Sequence, residues 1–358
     1  MSATRVTIIG AGVTGLAIAS GLRRHLGSAA TVDIVEAADH AGGMISGVEL
    51  AGITVDPAAD AIAATPESLS ARLLKLAINL PVVRPRGAPQ QLVPRDRDVV
   101  LGSVGGGMRE VVGISGGMWR LAAELISGAG PIRCGELVAH LRPVGRKWVT
   151  SLADGAEIVA DAVVVAVPPG AARQILRAVC SYSRPGLAPR QSVLLAYEHD
   201  QVPKDRSSGF LRSATLHDST PVTGLTWIDV KWPAAVTRPN LAIARAVLDR
   251  RHNAWSAAQL VSMASTLVAD LWGIQAPPVD ARAISWREAL PVGPQHAAGD
   301  PRQPMAGLIL AGSAYGVTGI AACLDDAATV VQHLVSAPEV DARGAPVGAG
   351  RTGARPRC

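Results

Sequence analysis

The chain has 358 residues, 48% of them hydrophobic, and a formal net charge of +5. That length allows one large α/β body or two interleaved domains with a sizeable core. The basic residues are scattered, partly in the tail at Arg343, Arg351, Arg355 and Arg357, and only 3% of the chain is aromatic, so a nucleic-acid partner is not expected.

Residues 6–9 are a short apolar run that stops at Gly10. A helical period follows from 14 to 26, with Leu16, Ala19 and Leu22 on one face, and residues 32–35 form a second strand ending at Glu36. This is a β-α-β unit of about thirty residues, and strand pattern so early leaves no room for a signal peptide. Residues 66–80 predict a helix carrying Leu69, Leu73, Leu76 and Leu80, and residues 82–117, rich in Pro, Arg and Gly, predict loops with short strands. Residues 118–127 read as a helix. Strand segments are expected at 148–149, around Ile158 and at 162–167, the last stopped by Pro168-Pro169. Three more are expected at 192–197, 223–229 and 241–248. Ser256 is the N-cap candidate for a helix reaching Trp272. A strand at 308–311 leads into Gly312, and 319–335 reads as mostly helix. Residues 337–358 have no periodicity and are expected to be disordered.

The fold class is therefore α/β: a discontinuous Rossmann-type dinucleotide-binding domain with an inserted α+β substrate domain and a mixed sheet. The expected cofactor parts are 1–80, 116–180 and 296–336, with 81–115 and 181–295 assigned to the substrate domain. Cys134, Cys180, Cys323 and Cys358 form no C-x-x-C pair, which gives zinc and dithiol chemistry no support and suits a reduced, cytoplasmic setting. No metal site is expected. No apolar run approaches a bilayer span, although peripheral membrane contact and a protein partner stay open.

The chemistry is concentrated in Gly10-Ala11-Gly12-Val13-Thr14-Gly15. The motif follows a strand, opens a helix and precedes an acid about twenty residues beyond its last glycine. Gly10 permits the tight turn, Gly12 lets backbone approach a pyrophosphate, and Gly15 lets helix and strand pack closely. The helix N-terminus faces the phosphates, and Glu36 would take the ribose hydroxyls. Just beyond, Gly42-Gly43 lets backbone amides approach a second part of a long dinucleotide, which points to FAD rather than NAD.

At this point the chain resembles the protoporphyrinogen/coproporphyrinogen oxidase family, within the flavin amine oxidase superfamily. Ile114-Ser115-Gly116-Gly117-Met118 ahead of a helix is similar to a family segment, as is the strand ending in Val167-Pro168. So are Ser208-Gly209-Phe210, Lys231-Trp232-Pro233, the stretch from Trp286 through Ala289-Leu290-Pro291 to His296, and Leu310-Ala311-Gly312 with Tyr315, Gly319-Ile320 and Cys323. The resemblance runs in order to about Leu334. It implies FAD contacts at Gly10, Gly12, Gly15, Glu36, Gly42, Gly43, Val138, Gly312, Gly319 and Ile320. Ala11, Thr14, Ala37, Met44 and Trp286 complete the expected cofactor set, though Trp286 reads equally well as a core residue and His296 is ambiguous.

The resemblance also implies a reaction: a porphyrinogen gives a hydride to the flavin and oxygen reoxidises it, in haem biosynthesis. Such chemistry needs little from side chains, and no catalytic residue stands out. The chain also departs from the pattern. Residues 98–112 pass almost directly to the Gly116-Gly117-Met118 segment, where family members carry a longer helical stretch shaping the substrate cavity. Met44 stands where a basic residue is usual, and Ala58, Ala59 and Ala327 lie where glycine is expected. These departures keep two alternatives open: another reduced organic substrate, or a degenerate flavin-binding paralogue.

Overall fold

The computed structural model describes residues 4–87, 90–95, 98–103, 110–183, 186–212, 222–248, 254–291 and 302–336. The chain begins with β1 (Thr4–Ile9), α1 (Val13–Leu26) and β2 (Ala30–Val35). A hairpin of β3 (Val48–Leu50) and β4 (Ile53–Val55) precedes β5 (Ile62–Ala63), α2 (Pro66–Lys75) and β6 (Val82–Val83). Strands β7 (Gln90–Arg95), β8 (Asp98–Ser103) and β9 (Val111–Ile114) lead to α3 (Trp119–Ala129). Next come β10 (Val138–Val144), β11 (Lys147–Leu152), β12 (Glu157–Ala160), β13 (Ala162–Val165) and α4 (Pro169–Leu176). They are followed by β14 (Leu187–Glu198), β15 (Gly209–Arg212), β16 (Val222–Trp227), α5 (Ile228–Lys231) and β17 (Leu241–Leu248). Finally come α6 (Ala257–Trp272), β18 (Asp280–Pro291), β19 (Leu308–Leu310) and α7 (Ile320–Ser336).

These elements divide into two compact units. The first contains Met1–Gly43, Glu124–Leu187 and Pro291–Cys358; the second contains Met44–Ala123 and Ala188–Leu290. In the first, a four-stranded sheet runs in the order β19-β13-β1-β2 with every pairing parallel. Its strands are buried nearly throughout, as at Ile8, Val163, Val164, Val165 and Leu308, which is the pattern of a parallel sheet covered on both faces. Strands from opposite ends of the chain thus share one sheet. Their helices meet too: a Cβ added at Gly21 of α1 would come within 2.7 Å of Val331 in α7. A three-stranded antiparallel sheet of β10, β11 and β12 completes the unit.

The second unit is built on a seven-stranded sheet, ordered β18-β14-β17-β16-β15-β7-β8. Alternation assigns its faces. Val193, Leu195, Tyr197, Ala242, Ala244 and Ala246 pack with Leu260, Ala264 and Val268 of α6. Leu194, Ala196, Leu241 and Ile243 pack on the other side with Leu50, Ile53, Val55, Ile228 and Trp232. Each fully buried Leu or Val contributes about 1.5–3 kcal/mol. Helix α6 starts on a capping box, Gln259 N to Ser256 Oγ at 3.3 Å and Ser256 N to Gln259 Oε1 at 2.8 Å, and ends at left-handed Gly273.

Several expectations change. The helix expected over 66–80 stops at Lys75, where Leu76 caps it and Ala77 turns to φ 55°. Leu76 and Leu80 are buried all the same, so the leucine spacing imitated a longer helix. The strand expected over 223–229 ends at Trp227 and turns into α5. Strand β18 was not foreseen: its charged and small residues mask the alternation. Residues 44–80 and 116–123, expected with the cofactor domain, fall in the second unit. The segment 81–115 contributes β7 and β8 to the large sheet. Among the described residues Cys134 and Cys323 are free thiols. Among the described residues no helix is long and apolar enough to cross a membrane. His296 and the tail from 337 lie outside the described residues.

Candidate functional site

In the first unit, β1 ends because Gly10 turns to φ 101°, a conformation that disfavours other residues. Gly10 is also crowded: an added Cβ would lie 2.6 Å from the Ala166 carbonyl oxygen, and one at Gly15 only 2.0 Å from the Gly10 carbonyl oxygen. Gly12 is the contrast. Nothing lies within 4 Å of the position its Cβ would take. Two glycines serve packing and the third leaves an open approach. Helix α1 then starts with no side-chain cap and no acid in its first turn, so its first N–H groups stay free for an anion.

Glu36 holds this turn in shape. Its Oε2 accepts from the Ala11 amide at 2.7 Å and its Oε1 from the Ala38 amide at 2.9 Å, and each oxygen retains capacity for a hydroxyl donor. Ala37 lies between these contacts. The glycine doublet folds back on the loop: Gly42 N donates to Ala11 O at 2.8 Å, and the Cβ direction of Gly43 meets Gly12 Cα at 3.3 Å. Glu36 also exchanges backbone hydrogen bonds with Arg133 and Glu136, both 2.9 Å. That carries Val138 into one buried cluster with Ile9 and Val35.

The C-terminal loop joins the same unit. Gly312 turns to φ 55° against Thr14, whose Oγ1 would be 2.6 Å from an added Cβ. Its amide donates to Asp326 Oδ2 at 2.7 Å, and Arg302 pairs with Asp326 Oδ1 at 2.6 Å. The Arg302 guanidinium lies 4.0 Å from the Tyr315 ring centroid. Gly319 is as open as Gly12, with nothing within 4 Å of its Cβ direction. It precedes Ile320, the first residue of α7, which has no acid in its first turn. Two open glycines beside two helix starts, with a carboxylate at the strand end, fit a dinucleotide. Of the expected cofactor residues, Met44 and Trp286 belong instead to the second unit.

The second unit buries side-chain charge. Asp56 caps α3 across 62 residues, accepting from Met118 N at 2.6 Å and Trp119 N at 2.8 Å. Burial pushes its carboxyl up to about 6 despite those two donors. Asp60 accepts from Lys231 Nζ at 3.0 Å, Trp232 Nε1 at 2.8 Å and Arg245 Nη2 at 2.8 Å. Burial pushes it up, but the Arg245 guanidinium and Lys231 ammonium hold it well below the usual carboxylate range. Arg206 pairs with Asp229 over the Trp227 ring.

Sequence reasoning did not single out Asp60, Arg245, Arg302 or Asp326. Signals existed for two. Arg245 interrupts the apolar run Ile243-Ala244-Arg245-Ala246-Val247, and Asp326 stands four residues before Val330, inside the buried stripe of α7.

Together the parallel sheet, the glycine loop and the closing C-terminal loop define a flavoprotein of Rossmann type. Residues 8–75 match the NAD(P)-binding Rossmann-like domain and residues 99–335 match the flavin containing amine oxidoreductases. The chain belongs to the flavin containing amine oxidoreductase family: it is an FAD-dependent oxidoreductase of the amine oxidase superfamily, and its cofactor is FAD.

Solved structures share the fold at low identity. A protein of Exiguobacterium sp. 255-15, provisionally assigned as a protoporphyrinogen oxidase, is 16% identical with TM-score 0.76, covering 94% of this chain and 99% of its own. Putrescine oxidase bound to putrescine is 13% identical with TM-score 0.68, covering 93% and 99%. Cyclohexylamine oxidase from Brevibacterium oxydans IH-35A is 16% identical with TM-score 0.66, covering 93% and 99%. The sequence matches none of the curated proteins.

Proposed function

We propose that the protein oxidises a porphyrinogen, protoporphyrinogen or coproporphyrinogen, with oxygen as acceptor, as a cytoplasmic enzyme of haem biosynthesis. The reading is supported by the segments that resemble the porphyrinogen oxidase family. One observation carries it: the Lys231-Trp232 pair singled out by that resemblance converges on a single buried carboxylate, Asp60. The Gly116-Gly117-Met118 segment is likewise built in, through the Met118 amide on Asp56.

Bound FAD would supply the hydride acceptor and the route of electrons to oxygen. The protein's part is to bind and orient. The amides at the start of α1 would hold the pyrophosphate, with Gly12 leaving room for it. Glu36 would accept the ribose hydroxyls while it keeps the Ala11 turn closed. Gly319 and the first turn of α7 would offer N–H groups to the flavin ring and favour negative charge there. Gly312 is held ready by Asp326.

A second reading is oxidation of an amine, favoured by the likeness to putrescine and cyclohexylamine oxidases. One experiment separates the two. The purified, flavin-loaded protein is mixed anaerobically with porphyrinogens and, separately, with primary amines, and flavin absorbance is followed. Bleaching by a porphyrinogen alone is the expected result. Bleaching by amines alone would move the assignment to the second reading.

A further inference from the structure

We infer that the second unit carries a binding site for a carboxylate-bearing ligand, built on the Arg245 guanidinium and the Ser192 hydroxyl. Arg245 has a side chain only 5% exposed and gives Nη2 to Asp60 at 2.8 Å. Among the described residues its Nε and Nη1 have no hydrogen-bond partner, and neither has Ser192 Oγ. Ser192 itself is 1% exposed. Buried polar groups are ordinarily paired, and an open one calls for a physical explanation.

The two residues share a face. The β14–β17 register pairs Leu194 with Arg245 and Ser192 with Val247, so Ser192 and Arg245 are diagonal neighbours, roughly 7 Å apart by strand geometry. Trp286 stands on this side too. Ile284 packs with Leu194 and Ile243, whereas Ala281 and Ala283 pack on the opposite face, and Trp286 follows Ile284 by one alternation.

The neighbouring acids do not pair with Nε and Nη1. Asp60 divides its oxygens among Arg245, Lys231 and Trp232, and Asp56 gives both of its own to backbone amides. Nε and Nη1 together hold three N–H groups. These donors lie on two edges of the cation, so a carboxylate would take an N–H from one edge while Nη2 keeps Asp60, and the Ser192 hydroxyl on the same sheet face offers a further donor. A cationic amine would be repelled by the same guanidinium. The inference rests on the porphyrinogen reading for its ligand, since porphyrinogens carry carboxylate side chains, and it names the group that would recognise them.

The test uses the full-length, flavin-loaded protein and two kinds of probe. The first is coproporphyrin III against its tetramethyl ester, read by quenching of tryptophan fluorescence. The second is glutarate against dimethyl glutarate, read by the shift in melting temperature. Arg245→Lys keeps a cation for Asp60 while removing the spare donors, and Ser192→Ala is a mild change that preserves the fold if Arg245→Lys does not. The wild type should bind the tetra-acid at least about tenfold more tightly than the ester, and each variant should shrink that preference. Glutarate, but not its ester, should raise the wild-type melting temperature, with a smaller rise in the variants. If neither porphyrin binds while the glutarate effect still depends on Arg245 and Ser192, the anion site stands and the porphyrinogen reading falls. If no carboxylate probe responds to either substitution, water fills the space and the site is overturned, whatever the flavin's behaviour with porphyrinogens.

Discussion

The two units place their polar groups differently. In the first, backbone supplies the recognition surface: amides at the start of α1 and an open Cβ direction at Gly12, with the Gly312 loop anchored through its amide on Asp326. In the second, charged side chains lie inside the sheet's packing: Asp60 among Lys231, Trp232 and Arg245, and Arg206 against Asp229. Backbone recognition costs little desolvation, because helix-end amides are unpaired anyway. Buried charge is costly unless every partner is present. The first unit should therefore tolerate loss of its ligand, whereas the second should depend on its internal pairs.

The largest expected effect is at Asp60. Asp60→Ala leaves Lys231 and Arg245 without their shared anion and should cost about 3–5 kcal/mol in denaturant unfolding. A loss under about 1 kcal/mol would mean that the cluster is well solvated, and the contrast between the units would fail.

Gly12→Val comes next, and it should divide binding from folding. An added Cβ there meets nothing within 4 Å, so folding should be affected far less than binding. Flavin affinity should fall at least about 100-fold, roughly 2.7 kcal/mol, measured by titrating the apoprotein with FAD. A variant that stays yellow after dialysis would refute the assigned role of this loop.

Asp56 sharpens the comparison through pH. Its carboxyl sits at about 6 in the fold against an ordinary 3.8, so the folded state holds the proton more tightly than the unfolded chain. Its contribution is fully present below 3.8 and is lost as pH rises through about 6. The loss is on the order of 2–3 kcal/mol. Asp60, held low by its cations, acts in the opposite sense below its ordinary value: its contribution is lost as pH falls. Unfolding of wild type and Asp56→Asn across pH 4–6 (about the span of that titration) should show a decline in the wild type that the variant lacks.

The smallest effect is at Asp326. Asp326→Asn keeps an oxygen for the Gly312 amide but gives up the ion pair with Arg302, and should cost about 1–2 kcal/mol. FAD titration should show a matching, modest loss of affinity. An unchanged affinity would detach the C-terminal loop from cofactor binding.

Local patterns made the nucleotide-binding core readable. Gly10, Gly12 and Gly15 stand at a spacing that only a strand-turn-helix serves, and Glu36 follows at the right distance. The N-cap at Ser256 and the run from Leu241 to Leu248 were also local signals, and both agree with the structure. Where local signals misled, a longer-range contact decided. Leu76 and Leu80 kept the helical spacing of α2 although the chain had turned at Ala77. Likewise, β18 has little alternation of its own and becomes a strand by lying beside β14.

The sequence by itself determined the β-α-β unit at the start, the final strand, loop and helix, and the acid and glycines a dinucleotide needs. These depend on neighbours a few residues apart, where backbone sterics and periodicity act directly. The tertiary structure alone decided that Gly312 would rest on Thr14, that Asp326 would hold its amide, and that Asp60 would gather Lys231, Trp232 and Arg245 from 171 residues and more along the chain. Such pairings arise when folding removes water from charged groups and each must find a partner among whatever the topology brings near, which no local pattern encodes.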